Sequence, residues 1–212
     1  MRITVFGATG NVGRRVVTEA LARGHEVTAV IRNPARAHEV PAEATVRVGN
    51  ADQIDDVTEL SAGQDLVISA TRPVAGEDDA LVATARSLLA GLARTNVRLL
   101  LVGGAGNLTV PSNGKLAVDD PNIVPPAWRG IAQACVQQFE AVRTETTVDW
   151  AYLSPPAMLE PGERTGHYRT GTDELLFDTD GTSRISMEDF AIALLDEAER
   201  PKHHRSRFTV GY

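Results

Sequence analysis

Gly7, Gly10 and Gly13 stand three residues apart in GATGNVGR, behind the apolar residues Ile3, Val5 and Phe6 and ahead of Val16, Val17, Ala20 and Leu21 at helical spacing. The first run predicts a buried strand over residues 1–6, the second a helix that stops before Gly24. Glycines on a strand-to-helix turn let the backbone approach an anion closely. The free N–H groups of the helix's first turn aim partial positive charge at it. The chemistry such a turn suits is the holding of a pyrophosphate, with Gly7, Thr9, Gly10, Asn11, Val12 and Gly13 as the candidate contacts.

Other reactive side chains are sparse. Cys135 is the only cysteine, which excludes internal disulfides and cysteine-rich metal sites, and its Ala/Ile/Val-rich surroundings read as those of an inert packed thiol. The five histidines are scattered and His203-His204 lacks the partners of a metal site, so no metal is expected. In GERTGHYR, the residues Glu163, Arg164, His167 and Tyr168 form either a polar cluster at the mouth of a site or a charge-rich surface turn. His167 is the candidate proton donor and Tyr168 the second catalytic candidate.

The elements that must carry these residues follow from periodicity. Apolar or alternating runs predict further strands over 25–31, 45–48, 65–69, 97–102 and 148–153, with a last one over 207–210, and helical patterns cover about 78–94 and 127–144. Strands alternating with helices predict an α/β fold, a doubly wound, mostly parallel sheet with helices on both faces. A chain of 212 residues, 42% hydrophobic and 23% charged, holds one ample core, so one domain over 1–212 is expected. Residues 154–186 begin with a Pro- and Gly-rich stretch lacking a sustained helical period and read as a lid or substrate region. Ser186 with Asp189 then resembles a capping box opening a helix whose apolar face is Phe190, Leu194 and Leu195. The net charge of −7 disfavours nucleic acid, and the cationic run Lys202, His203, His204, Arg205 and Arg207 reads as a solvated turn. No stretch approaches the roughly 18 apolar residues of a membrane span. A cytoplasmic monomer or homodimer is expected, with a small-molecule partner.

GATGNVGR after a strand resembles the GxxGxxG fingerprint of the atypical short-chain dehydrogenase/reductase superfamily. Asp149-Trp150, LSPPAM, EPGERTGHYR, SRIS and EDFAIALLDE are similar to the small single-domain NAD(P)H-binding proteins described as NADH-flavin reductase-like. The resemblance covers essentially the whole chain and implies a Rossmann-type fold and a nicotinamide dinucleotide. Arg32-Asn33-Pro34, Gly49 to Asp52, Ser69-Ala70-Thr71 and Gly103 to Gly106 all end strands, where ligands of open α/β sheets bind. By this resemblance Asp52 places the adenine. Ala70, Thr71, Gly103 and Gly104 line the ribose and nicotinamide path, and Pro155 and Pro156 pass beside the ring.

Two departures shape the expected chemistry. Arg32 stands where NAD-specific members carry an Asp or Glu, so a 2′-phosphate would meet a guanidinium and NADP(H) is expected over NAD(H); otherwise Arg32 is a solvated strand-end cation. Arg14 either reinforces it or faces solvent. The superfamily's Tyr-x-x-x-Lys pair is absent, its inferred positions being Ala132 and Val136. A positioned general acid typically contributes about 10²- to 10⁴-fold. The expected acceptor is therefore one that needs little protonation: a planar conjugated flavin or quinone, with flavin as substrate rather than bound cofactor. Loops 71–76, 105–128 and 155–168 would wall that site, with Trp128 and Tyr168 either stacking on the acceptor or filling gaps. The alternative is an NADP(H) redox sensor like the regulators of nitrogen-metabolite repression, with little or no turnover.

Overall fold

The computed structural model describes residues 1–74 and 76–212; the expected wall loop 71–76 includes Ala75, which lies outside the described residues. In chain order the first half runs β1 (Arg2–Phe6), α1 (Asn11–Ala22), β2 (Glu26–Ile31), β3 (Thr45–Val48), α2 (Ile54–Ser61), β4 (Leu66–Ser69), α3 (Ala80–Thr95) and β5 (Arg98–Val102). The second half runs α4 (Arg129–Val142), β6 (Trp150–Ser154), β7 (Met158–Glu160), β8 (Arg169–Gly171), β9 (Arg184–Ser186), α5 (Met187–Glu199) and β10 (Ser206–Gly211). Each expected strand is present within one or two residues of its expected start and end.

The main sheet has the order β3-β2-β1-β4-β5-β6-β10-β8 and is parallel except for the antiparallel edge strand β8. This is a Rossmann-type sheet: the chain winds outward from β1 to β3, then returns to place β4 on the other side of β1. Its central strands are apolar nearly throughout because both of their faces are covered. Ile3, Val5, Ile68 and Leu100 face α1 and α5, packing on Val16, Val17, Phe190 and Leu194. Phe6, Val67, Leu99 and Leu101 face the opposite layer, packing on Val57, Leu88, Leu92 and Val142.

Helices α1 and α5 run parallel, side by side. Arg15 pairs with Glu188 and Arg23 with Asp196, and both pairs span 173 residues, as two parallel helices in fixed register require. Residues 161–168, within the segment read as a lid or substrate region, lie along these helices as a strap. Gly162 N–H donates to Glu188, Arg164 forks onto Glu19 at 2.8 and 2.9 Å, and the Tyr168 hydroxyl donates to Asp196 at 2.6 Å. The rest of the expected lid contributes strands: β7 pairs with β9, and β8 with β10.

The cationic run near the C-terminus is also more ordered than a solvated turn. The His203 ring stacks on Phe208 at 4.3 Å and bonds Glu197 at 2.8 Å, while Arg207 pairs with Asp173 and lies 4.5 Å over the Phe139 ring. Ser186 caps α5 as expected, accepting from the Asp189 N–H at 3.0 Å. The Asp189 carboxylate does not complete a reciprocal box. It accepts instead from Thr165 N–H at 2.8 Å, Gly166 N–H at 2.9 Å, the Tyr212 hydroxyl at 2.8 Å and the Thr165 hydroxyl.

Burial alone would raise the Asp189 pKa, but these four donors outweigh it and hold the carboxyl below its usual range. A carboxyl whose folded pKa is depressed stabilises the fold above its unfolded value of about 3.9, and that contribution fades as pH falls toward the folded value. Asp189→Asn, which keeps the shape and removes the charge, is expected to cost about 1–3 kcal/mol at pH 7. Urea unfolding checks this, and the gap between wild type and variant should narrow as the pH is lowered from about 4.

Candidate functional site

The glycine turn sits where β1 and β4 end side by side, at the point where the winding of the sheet reverses. Gly7 adopts φ +79°, and a Cβ there would lie 2.5 Å from the Ala70 carbonyl oxygen, so the turn after β1 packs backbone to backbone against the end of β4. A Cβ on Gly13 would fall 2.0 Å from the Gly7 carbonyl oxygen, so the start of α1 can close on the turn only without a side chain. Gly10 differs: its imagined Cβ stands 3.2 Å from the Gly7 oxygen, tight but nearly accommodated. It is the N-cap of α1, and its N–H donates to the Gly7 oxygen at 2.9 Å. The turn thus brings Gly7, Thr9, Gly10, Asn11, Val12 and Gly13 together beside Ala70 and Thr71 at one sheet edge. This geometry suits an anion at the N-terminus of α1.

Two neighbouring strand ends extend that edge. After β2, Asn33 caps a 3-10 turn over Pro34–Glu39, whose Arg36 reaches back to the Thr9 carbonyl oxygen at 3.0 Å and forks onto Glu39 at 2.6 and 2.7 Å. Arg36 holds the Glu39 carboxyl below its usual range, and His38 and Arg14 add to the effect. Arg14, Arg32 and Arg36 are all exposed, and a turn residue that sequence patterning passed over is the one tied to the glycine turn. Its signal was its place five residues past the end of β2, invisible without the turn that folds it back. After β3, Asn50 and Asp52 enter a second turn, where the Asp52 carboxylate accepts from the Thr84 hydroxyl of α3.

The end of β5 forms the next part of the edge. Gly103 lies flat against the Tyr152 ring, where a Cβ would approach to 1.9 Å, and Gly104 abuts Cys135, where a Cβ would lie 2.5 Å from the sulfur. Gly106 packs on Ala132 with 2.7 Å between an imagined Cβ and the Ala132 carbonyl oxygen. So Ala132, one of the two inferred dyad positions, does face the loop after β5, without a reactive group. Burial pushes the Cys135 thiol up to about 11, with nearby Arg72 opposing and Asp78 adding to the shift, which leaves an inert thiol as expected. Tyr152 is fully buried, and its hydroxyl is 3.0 Å from Gln138 Oε1 and 3.2 Å from the Cys135 carbonyl oxygen. Burial raises its pKa well above the usual phenol value. Asn107, 4% exposed, accepts from the Ser154 hydroxyl at 2.9 Å, while its Nδ2 has no partner among the described residues. Pro155 and Pro156 follow β6 and are buried.

The strap carries the two catalytic candidates elsewhere. The Tyr168 hydroxyl is bound to Asp196, which pairs with Arg23 just past the C-terminal end of α1. At about 1.5 Å per residue, twelve residues of α1 put that end roughly 18 Å from the glycine turn. Burial, first, and the Asp196 carboxylate also raise the Tyr168 pKa, so neither position nor acidity suits a proton donor to the nicotinamide edge. His167 is exposed and lines an open cleft of about 600 Å³ with Met158, Arg184, Ser186 and Tyr212, a cleft lined by no residue of the glycine turn, of Ala70-Thr71 or of Gly103-Gly104. The expected cluster of Glu163, Arg164, His167 and Tyr168 therefore does not form, because Arg164 is drawn to Glu19 and Tyr168 to Asp196. Among the described residues no group of His, Cys, Asp and Glu could hold a metal, and no helix is long and apolar enough to cross a membrane.

Comparison with known proteins places this geometry. The profile of the NAD(P)H-binding family matches residues 7–198, and the chain belongs to that family. YwnB, an uncharacterized Bacillus subtilis protein, is 35% identical over 212 residues, covering 99% of this chain and 98% of its own. The crystal structure of a Burkholderia pseudomallei protein provisionally named as exported superposes with a TM-score of 0.90 at 38% identity, covering all of both chains. That of a Streptococcus pneumoniae protein provisionally named an NADH-flavin reductase superposes with a TM-score of 0.87 at 30% identity, covering 100% of this chain and 99% of that one. The chain is an NAD(P)H-binding protein of the oxidoreductase-like kind.

The two glycine contacts separate binding from folding. Gly10→Ala should leave the melting temperature within a few degrees of wild type, and if the α1 N-cap takes the pyrophosphate it should weaken dinucleotide binding at least tenfold in calorimetric titration. Gly13→Ala should instead destabilise the free protein by about 1–3 kcal/mol, the usual cost of overpacking a tight contact.

Proposed function

We propose that this member of the NAD(P)H-binding family is an NADPH-dependent reductase of planar conjugated acceptors such as flavins or quinones, working without a side-chain acid. The observation that carries this reading is the state of Tyr152. It is the tyrosine behind the Gly103-Gly104 loop, its hydroxyl is spent on Gln138 and Cys135 inside the core, and the dyad positions hold Ala132 and Val136. An acceptor here must take a hydride without a poised proton. Extended π-systems do so by delocalising the charge, and water protonates them afterwards.

A bound reduced nicotinamide supplies the hydride, two electrons with one hydrogen, and is itself oxidised. The chain's part is placement. The turn of Gly7, Thr9, Gly10, Asn11, Val12 and Gly13 holds the pyrophosphate, Asp52 orients the adenine side, and Ala70, Thr71, Gly103, Gly104 and Pro155 line the path of the ribose and ring. Catalysis then rests on proximity of two stacked planes. Flavin serves as substrate in this scheme. The buried Cys135 and Tyr152 keep the floor of the site dry and chemically quiet.

Preference for NADPH follows from three guanidinium groups, Arg14, Arg32 and Arg36, near the end of β2, with no acidic residue at position 32. A 2′-phosphate there would compete with Glu39 for the Arg36 fork, a planar donor pair matched to a phosphate. Hydrogen bonds to charged groups contribute about 1.5–3 kcal/mol, roughly ten- to hundredfold in affinity. Wild type should bind NADPH at least tenfold tighter than NADH in calorimetric titration, and Arg32→Asp should abolish or reverse the difference; equal affinities in the wild type would sink the preference.

The reductase reading is tested by following reduced-nicotinamide absorbance with flavins, quinones and simple ketones. Flavins or quinones should turn over and simple ketones should react poorly. Tyr168→Phe and His167→Ala should each retain most of the turnover, since both residues sit on the strap. Tight NADPH binding with no turnover of any acceptor would favour the redox-sensor alternative.

A further inference from the structure

Arg72, just past β4, and Trp128, just ahead of α4, meet across the mouth of the site. The guanidinium carbon lies 5.5 Å from the centre of the indole ring, and the indole remains 56% exposed, the most open aromatic side chain among the large exposed hydrophobic residues. Both lie on segments that leave the carboxyl ends of strands, Arg72 after β4 and Trp128 between β5 and α4. Arg72 follows Ala70-Thr71, which pack on the glycine turn, and its charge is felt at Cys135, whose sulfur abuts Gly104. Asp78 abuts the first turn of α4: an imagined Cβ on Gly130 would be 2.7 Å from Asp78 Oδ2. Asp78 is set against Gly130, and Asp119 pairs with Arg129 at 3.7 Å. Among the described residues none forms an ion pair with Arg72.

An exposed indole beside a guanidinium offers a flat apolar platform and one positive charge at its rim. A cation at the rim of such a platform attracts an anionic group on the ring that lies there. We propose that Arg72 and Trp128 form the acceptor-recognition edge, selecting planar conjugated acceptors that carry a negative charge, with the ring on Trp128 and the anionic group on Arg72. This rests on the reductase reading for what happens to the acceptor, but the recognition itself is a property of binding. Cation–π contact already holds the guanidinium against the indole, so both groups are arranged before the acceptor arrives.

The test uses protein saturated with NADP⁺, which permits no turnover, and two probes of equal ring size: 1,4-naphthoquinone-2-sulfonate and 2-methyl-1,4-naphthoquinone. Binding is read from quenching of tryptophan fluorescence, to which Trp128 and the buried Trp150 contribute. The sulfonate should bind at least tenfold tighter than the methyl analogue at low ionic strength, and the ratio should shrink as salt is added. Arg72→Gln should bring the two affinities within about twofold of each other, Arg72→Lys should keep part of the difference, and Trp128→Ala should weaken both probes. Equal affinities in the wild type, or an unchanged ratio in Arg72→Gln with NADP⁺ affinity intact, would overturn the proposal. With NADPH in place of NADP⁺, a wild type that keeps the charge preference yet reduces neither quinone refutes the reductase reading while upholding the anion-selective edge.

Discussion

Backbone meets backbone at the end of β1, and nearly everything about the site depends on that contact. Gly7 lies against the Ala70 carbonyl, and Gly13 lies against the Gly7 carbonyl, at separations where no side chain fits. The first contact sets how closely β1 and β4 can finish together; the second sets how tightly α1 can begin. Together they leave the first N–H groups of α1 pointing over the reversal point of the sheet. An open parallel sheet leaves a crevice there, because the crossovers on either side depart in opposite directions. This edge of the sheet is thus a consequence of packing, with the glycine turn as its most constrained part.

The length of α1 is secured by charge. Arg15–Glu188, Arg23–Asp196 and Arg164–Glu19 tie α1 to α5 and to the strap, with Glu19 and Arg23 largely buried in the arrangement. The Arg164 and Arg23 bonds lower the Glu19 pKa against the burial that would raise it. Partly buried pairs of this kind are costly to break on one side only, because the partner is left charged and unsatisfied. Strap residues that resemble site residues in sequence are therefore recruited into a structural network. Tyr168 and Arg164 serve helix packing, and His167 is carried along with them to the surface.

At the end of β5 the reactive side chains turn inward. Tyr152 turns its hydroxyl into the core, Cys135 is buried and un-ionised, and Ala132 presents a methyl group to the loop after β5. What remains at the rim is an exposed indole with a guanidinium over it. Under the proposed reading, a rim of this composition aligns rings and offsets charge.

Much of this was legible in the sequence, for a physical reason: strand and helix periods, glycine on a strand-to-helix turn and strand-end residues are local properties. They determine the alternation of elements, the parallel sheet and the position of GATGNVG at its edge. The absence of a Tyr-Lys pair could likewise be read from spacing along one helix. Tertiary structure alone decided where the irregular segment from 161 to 168 would lie, because its course is set by Glu19, Asp189 and Asp196, residues distant in sequence. It also decided that Arg36 folds back onto Thr9 and that Arg72 meets Trp128 across 56 positions of chain. Long side chains reach several ångströms from their own backbone, and which of them converge is fixed only when the loops that carry them are packed.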